Sequence, residues 1–92
     1  MDEKLHYRIH IIGRVQGVGF RRYVVNEARY LGIKGFVKNL PDGSVYVEAE
    51  GSFEALNLFI EWCKKGPGFS FVESVKAESF PPVNHIGFKI EY

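Results

Sequence analysis

The sequence is poor in the features that mark several specialised classes of protein. Cys63 is its only cysteine, so no disulfide can form within the chain and a cysteine-based zinc site is excluded. A single cysteine also fits a reducing compartment. No run approaches the ~20 apolar residues that span a bilayer, and the charged residues 1–8 are not followed by an apolar stretch of signal-peptide length. We therefore expect a cytoplasmic protein with no membrane partner.

The sequence also lacks an excess of charge of either sign. It has 12 Lys and Arg against 11 Asp and Glu, which gives a net charge of +1. Proteins dedicated to nucleic acids or to anionic membranes usually carry a clear basic excess on one face. We therefore expect no nucleic-acid partner, and any anion-binding site must be local.

The composition that remains is that of an ordinary globular chain. Of the 92 residues, 46% are hydrophobic and 25% are charged, far from the polar composition of disordered chains. A chain of this length buries somewhat above ~60% of its unfolded surface, which is enough for one core. We expect one domain over residues 1–92, and nothing in the sequence requires more than a monomer.

Two kinds of periodicity divide the first half of the chain. Alternating apolar residues predict a strand over Leu5–Ile12, and three glycines predict a loop over Gly13–Gly19. Phe20 starts a helical pattern of apolar residues that stops at Gly32. Two further alternating segments flank the Pro-Asp-Gly sequence at residues 41–43, a pattern typical of a hairpin.

The second half of the chain adds one helix and two strands. Ser52 can cap a helix whose apolar face runs to Cys63 and which ends at the Gly-Pro-Gly sequence of residues 66–68. Alternation around residues 74–78 and 88–92 predicts two last strands. The order is β-α-β-β-α-β with one more short strand. We therefore expect an α+β, ferredoxin-like sandwich with two helices on one face of a mostly antiparallel sheet.

This topology brings separate segments of the chain together. The first and second strands run parallel with the third between them, so both end at the same edge of the sheet. The first strand leads into the glycine-rich loop and Arg21, and the second ends near Asn39. Successive N–H groups in a glycine-rich turn, followed by the positive end of a helix dipole, favour an anion such as phosphate.

The two side chains at this edge suit phosphate chemistry. Arg21 carries a planar fork that can donate two parallel hydrogen bonds to phosphate oxygens. Asn39 offers donors and an acceptor on one short side chain and can hold a water molecule, but it cannot act as a base. No Asp, Glu or His is placed by the sequence beside Arg21. Catalysis should therefore rest on positioning and charge stabilisation, which suits a substrate with a good leaving group.

At GRVQGVGFRRYV (residues 13–24) and GFVKNLPDGSVYVEAEG (residues 35–51) the sequence closely resembles the acylphosphatase family. The resemblance covers nearly the whole chain and implies a metal-independent acylphosphatase without a cofactor, acting on acyl phosphates and releasing inorganic phosphate. The family's catalytic arginine matches Arg21, and its water-orienting asparagine matches Asn39. Phe36 departs from the family, since many relatives carry tryptophan there. Binding of phosphate by main-chain amides of the loop implies a role for Val15, Gln16, Gly17, Val18, Gly19 and Phe20, with Arg21.

Each of these signals has a plainer interpretation when it stands alone. A glycine-rich loop before a helix is more often a simple turn, and this one matches neither a P-loop nor a dinucleotide fingerprint. Arg21 could be a solvated helix residue, as we expect for Arg22. Asn39 could stabilise the turn that follows it. The catalytic hypothesis depends on both residues occurring in long matching segments at one edge of the sheet.

Other chemical side chains favour structural roles. His6 and His10 are about 13 Å apart along a strand, too far for one metal ion, so we assign no metal ligands and expect surface or cross-strand positions. Cys63 is expected to fill the core rather than act as a nucleophile. The aromatic residues of the second helix, Phe53, Phe59 and Trp62, are expected to pack on the sheet.

Two other functions remain open at this stage. Ferredoxin-like sheets often bind RNA by stacking bases on aromatic strand residues, but the near-zero net charge and the absence of an RNP-type strand argue against it. The same site could instead sense acyl phosphates without turning them over. Slow turnover with strong retention of product would favour that second hypothesis.

Overall fold

The computed structural model describes residues 3–92 and contains two helices and one five-stranded sheet. The elements follow the predicted order. Their bounds are β1 Leu5–Arg14, α1 Phe20–Tyr30, β2 Lys34–Asn39, β3 Val45–Gly51, α2 Phe53–Lys65, β4 Phe71–Phe80 and β5 Phe88–Glu91.

The sheet has the strand order β4-β1-β3-β2-β5. β3 pairs antiparallel with both β1 and β2, which makes β1 and β2 parallel to each other, as predicted. β4 is antiparallel to β1 at one edge, and β5 is parallel to β2 at the other. The ferredoxin-like α+β fold with a short extra strand is therefore confirmed.

One face of the sheet and both helices share the hydrophobic core. Alternate residues of the inner strands are buried together with apolar residues of both helices, so the helices lie on this face. Phe20 and Phe59 are the largest of the fully buried side chains. Burial of a phenylalanine contributes on the order of 1.5–3 kcal/mol to the free energy of unfolding. The buried set also includes Ile9, Ile11, Val24, Val25, Ala28, Val37, Val45, Val47, Leu56 and Phe88.

Local signals set the ends of the helices. The Ser52 side chain accepts a hydrogen bond from the Ala55 N–H at 3.2 Å, which caps α2 as predicted. Cys63 is buried on α2, and burial raises the pKa of its thiol to about 12, so it fills the core rather than acting as a nucleophile. Neither helix in residues 3–92 is long and apolar enough to cross a membrane.

The prediction about the aromatic residues of α2 needs correction, and the one about His6 is resolved. Only Phe59 of the three α2 aromatic residues is buried in the core; Phe53 is 58% exposed. Trp62 lies beside Tyr30 of α1, with 5.9 Å between ring centroids, instead of packing on the sheet. His6 faces away from the helices and is only 1% exposed, so of the two expected positions, surface or cross-strand, the second applies. Its expected cross-strand contact is present, since Nε2 lies 3.0 Å from Glu48 of β3.

His6 is buried because the connection between β4 and β5 folds across the second face of the sheet. The Glu50 carboxylate accepts hydrogen bonds from three consecutive backbone N–H groups of this connection, those of residues 83–85. These hydrogen bonds outweigh the effect of burial, which alone would raise the pKa of Glu50, and hold it below its usual range. The buried Glu50 side chain therefore anchors the connection to β3.

Candidate active site

A cavity of about 210 Å³ opens where the glycine-rich loop, the start of α1 and the end of β2 meet. It lies at the edge of the sheet that the parallel arrangement of β1 and β2 predicts. Eight residues from three segments of the chain line it: Val15, Gly17, Gly19, Phe20, Arg21, Arg22, Asn39 and Ile90. Arg21 and Asn39, the two side chains that the sequence singles out, therefore face a common space.

The loop between β1 and α1 has a backbone suited to an anion. Gly17 and Gly19 have φ values of +75° and +78°, a left-handed conformation that other residues rarely adopt. A Cβ atom at either position would have open space around it, so the glycines are required for backbone conformation and not for room. Alternation of left-handed and ordinary residues turns consecutive N–H groups toward one side, which forms an anion-binding concavity.

The helix that follows adds a positive field at the same place. Gly19 is the N-cap of α1, it carries no side chain to cap the helix, and the first turn contains no acidic residue. The first N–H groups of a helix lack partners within it and together carry roughly half an elementary charge. An anionic ligand in the cavity would therefore meet loop amides, helix amides and a guanidinium together.

Arg21 is the second residue of α1 and is partly exposed. Among residues 3–92 it makes no salt bridge; the ion pairs of this part of the chain involve other residues. Its guanidinium carbon lies 5.1 Å from the centroid of the Tyr92 ring, a cation–π distance. The Arg21 guanidinium therefore packs against the Tyr92 ring, and its N–H groups remain available to an anion.

Asn39 is the last residue of β2, and its side-chain oxygen has an unusual environment. Oδ1 is buried, and no hydrogen-bond partner for it is found within residues 3–92. A buried acceptor without a partner costs about 1–3 kcal/mol of stability. Such atoms are rare and are often retained for function. A water molecule held in the cavity beside Arg21 would supply the missing donor.

Gln16 connects the loop to the hairpin turn that follows Asn39. Its side-chain amide donates to the carbonyl oxygens of Leu40 and Ser44, each at 2.8 Å. The same turn is closed by Asp42, whose carboxylate accepts from the Ser44 hydroxyl and backbone N–H. These two bonds lower the pKa of Asp42. The loop and the residue that ends β2 are thus held in a defined relative position.

The structure places five of the seven predicted phosphate-binding residues on the cavity wall: Val15, Gly17, Gly19, Phe20 and Arg21. Gln16 and Val18 do not line it. Gln16 points its amide to the hairpin turn, and Val18 packs against the hydrophobic core.

Sequence reasoning missed Ile90 of β5 and treated Arg22 as a solvated residue. No local signal could have found Ile90, because it reaches the site only through the parallel pairing of β5 with β2.

A larger groove, of about 540 Å³, lies between α1 and α2. Its lining consists of six residues: Tyr23, Asn26, Glu27, Tyr30, Trp62 and Lys65. No glycine lines it, so it lacks the backbone turn that suits an anion, and its one lysine is offset by one glutamate. Size alone therefore does not identify the candidate site, and the smaller cavity is the one that both predicted side chains, Arg21 and Asn39, line.

Removing the Gln16 amide should separate the loop from the hairpin. We expect Gln16→Ala to lose two side-chain hydrogen bonds, worth about 1–3 kcal/mol of the free energy of unfolding together. The looser loop should lower kcat/KM for benzoyl phosphate about tenfold, the equivalent of ~1.4 kcal/mol. Thermal unfolding and steady-state kinetics on the same preparation measure both effects.

A matched variant tests whether the polarity of Gln16 is what matters. Gln16→Glu keeps the shape of the side chain but faces two carbonyl oxygens with a carboxylate, so it should be impaired at least as much as Gln16→Ala. If either variant kept the parent's kcat/KM and Tm together, this positioning role would be wrong.

Comparison with known proteins places this arrangement in a class. The fold and the site define a ferredoxin-like protein with a glycine-rich loop suited to an anion. The family model for Acylphosphatase matches residues 7–90. An acylphosphatase from Anaeromyxobacter dehalogenans is 42% identical over 93 residues, which cover 100% of both chains. One from Archaeoglobus fulgidus is 44% identical over 84 residues, covering 91% of this chain and 94% of the relative.

A solved structure agrees with the sequence relatives. The crystal structure of acylphosphatase from Bacillus subtilis superimposes with a TM-score of 0.94 at 44% identity, covering 96% of this chain and 99% of the other. The chain belongs to the acylphosphatase family. It is a hydrolase of acyl phosphates, small molecules that it cleaves to a carboxylate and inorganic phosphate.

Proposed function

We propose that Arg21 and the amides of the loop between β1 and α1 bind the phosphoryl group, and that Asn39 positions the water that attacks it. The observation that carries this proposal is the pairing at one cavity of Arg21, which makes no salt bridge in residues 3–92, with the unpartnered Asn39 Oδ1. Arg21 can hold the phosphoryl oxygens, and Asn39 can hold the water molecule that attacks the phosphorus.

The proposed reaction is a single displacement at phosphorus. The Arg21 fork and the loop amides hold the non-bridging phosphate oxygens and stabilise the charge that spreads over them. The Asn39 amide holds a water molecule, accepting one of its hydrogens at Oδ1. The water oxygen forms a bond to phosphorus while the bond to the acyl oxygen breaks, so the carboxylate leaves with the electron pair. The proton of the water passes to a phosphate oxygen.

This mechanism needs no general base. The cavity wall in residues 3–92 contains no Asp, Glu or His, and an asparagine amide does not titrate near neutral pH. A carboxylate is a much better leaving group than an alkoxide, because its conjugate acid is far stronger. The chain therefore has the means to hydrolyse a mixed anhydride by positioning, which contributes a large part of many enzymatic rate enhancements.

The test of the mechanism as a whole is a benzoyl phosphate assay in the presence of EDTA. We expect turnover that is unchanged by the chelator, and competitive inhibition by inorganic phosphate, because phosphate would occupy the same cradle. The matched control is the same assay with added MgCl₂ in place of EDTA. Turnover lost in EDTA and restored by magnesium would contradict the proposal.

The same assay separates an enzyme from a sensor. A protein that only senses acyl phosphates would release product slowly and retain phosphate tightly. We also propose that the chain acts as a cytoplasmic monomer; its single cysteine fits a reducing compartment. Sedimentation equilibrium measures the oligomeric state directly, and a dimer at assay concentrations would contradict the proposal of a monomer.

A further inference from the structure

Three ionisable side chains meet on the face of the sheet opposite the helices. His6 lies on β1, Glu48 on β3, and His85 on the connection between β4 and β5. The Nε2 atoms of His6 and His85 lie 3.0 and 3.1 Å from the same carboxylate oxygen, Glu48 Oε1. One potential metal-ligating atom from each of the three lies within 4.8 Å of the other two. None of these residues lines the active-site cavity.

The hydrogen bond at the other nitrogen of His6 decides what its Nε2 can do. Nδ1 lies 2.9 Å from the Pro81 carbonyl oxygen, which can only accept, so Nδ1 carries a hydrogen. In a neutral imidazole Nε2 then has a lone pair, and that lone pair faces a carboxylate oxygen at 3.0 Å. Two acceptors at this distance repel each other unless a cation or a second proton lies between them.

Contacts around the cluster hold its three side chains in place. The second oxygen of Glu48 accepts a hydrogen bond of 2.7 Å from the Tyr46 hydroxyl, and the Arg8 guanidinium lies 3.8 Å from it. Oε1 is then the oxygen that faces the two imidazoles. The His6 ring is oriented by the Pro81 carbonyl oxygen, and a backbone carbonyl is one of the usual supports of a ligating histidine. The His85 ring packs edge-on against Phe36, with 5.7 Å between centroids.

We propose that His6, Glu48 and His85 form a binding site for a divalent transition metal ion, with Zn²⁺ as the best fit. Two imidazoles and one carboxylate are a usual zinc ligand set, and a water molecule completes the tetrahedron. Bonds of about 2.0–2.1 Å at tetrahedral angles place ligand atoms roughly 3.3 Å apart. The two nitrogen–oxygen separations here are 3.0 and 3.1 Å. All three ligand atoms lie within 4.8 Å of one another, so the side chains would rotate to bring the two imidazoles to the spacing of a common ion.

Such an ion would act on stability and not on the reaction. It would join β1, β3 and the connection that covers the sheet, which Glu50 already anchors through three N–H groups. The His85 side chain is 22% exposed, which gives the ion a path from solvent, whereas His6 is 1% exposed. The ion would therefore attach the connection between β4 and β5 to the sheet at a point that solvent can reach.

The test is a calorimetric titration of the full chain, stripped with EDTA and dialysed, with ZnCl₂. We expect one ion per chain. At a free zinc concentration a hundredfold above Kd, Tm should rise by roughly 10 °C, because the ion binds the folded chain. Replacement of zinc by Co²⁺ should give the visible absorption of a tetrahedral site.

Three variants locate the site. His85→Ala and Glu48→Gln remove one ligand each, so each should weaken zinc binding by more than the ~10–100-fold that loss of a ligand's hydrogen-bond partner costs. His10→Ala removes another histidine of β1, on the same face of the sheet, and should keep the parent's affinity. His85 is on a surface connection, so its variant should fold even if Glu48→Gln does not.

Several results would overturn the proposal. One is the absence of saturable binding, with NMR showing His6 as an imidazolium paired with Glu48. Another is affinity that survives His85→Ala, or affinity that is lost with His10→Ala. Activity is a separate readout, since benzoyl phosphate hydrolysis at 25 °C should be the same with and without zinc. A requirement for zinc in turnover would count against the catalytic proposal and leave this site in place.

Discussion

Arg21→Lys should lower kcat/KM for benzoyl phosphate by about 10³-fold. Removal of one preorganised donor typically costs on the order of 10²–10³ in rate, and lysine loses the two-pronged geometry while keeping the charge. Most of the effect should appear as weaker binding of the phosphoryl group, because the loop amides alone would hold the oxyanion. Steady-state kinetics with inorganic phosphate as a competitive inhibitor measure it, and Ki for phosphate should rise together with KM.

Arg22→Lys is the matched comparison for this prediction. Arg22 is the next residue of α1 and also lines the cavity, but it is exposed. It should matter mainly as a positive charge, which lysine retains, so its variant should lose far less activity than Arg21→Lys. Equal losses in the two variants would show that the site uses a diffuse positive field and not one guanidinium.

Asn39→Ala should lower kcat by about 10²–10³-fold and raise KM much less. In the proposed mechanism the amide holds the attacking water, which affects the chemical step, whereas Arg21 and the loop hold the phosphate. The variant also removes a buried acceptor that has no partner in residues 3–92. Its thermal stability should therefore be equal to that of the parent or higher, an effect opposite in sign to the loss of activity.

Asn57→Ala is the control for this second prediction. Asn57 is an exposed residue of α2 outside the cavity, so its variant should keep the kcat of the parent. Hydrolysis at the parent rate by Asn39→Ala would show that water is positioned by some other group. A fall in activity accompanied by a lower Tm would instead indicate that Asn39 supports the hairpin turn.

Elements with strong local signals were predictable. β1 alternates clearly, α1 has an apolar stripe followed by Gly32, and a Pro-Asp-Gly turn joins β2 to β3. β4 was harder: it runs from Phe71 to Phe80, longer than the alternation at residues 74–78 indicates. It is an edge strand whose residues are mostly exposed, so little burial is available to impose a pattern on its sequence.

The position of the candidate site at one edge of the sheet was predictable for a different reason. Placing Arg21 near Asn39 required only that β1 and β2 run parallel, and the order of helices and strands implies this. The role of Gln16 was not predictable, because its two acceptors are backbone carbonyls of a turn and carry no mark in the sequence.

By itself the sequence determined the fold class, the acylphosphatase relationship and the two polar side chains at one edge of the sheet. Periodicity records which face of each element is buried, and motif spacing records where the chain turns. Only the tertiary structure decided that the partner of His6 is His85 and not His10, and that Ile90 reaches the cavity. It also decided that Glu50 binds the connection between β4 and β5, which crosses the sheet. These contacts depend on strand register and on the path of one long connection, and no local pattern encodes either.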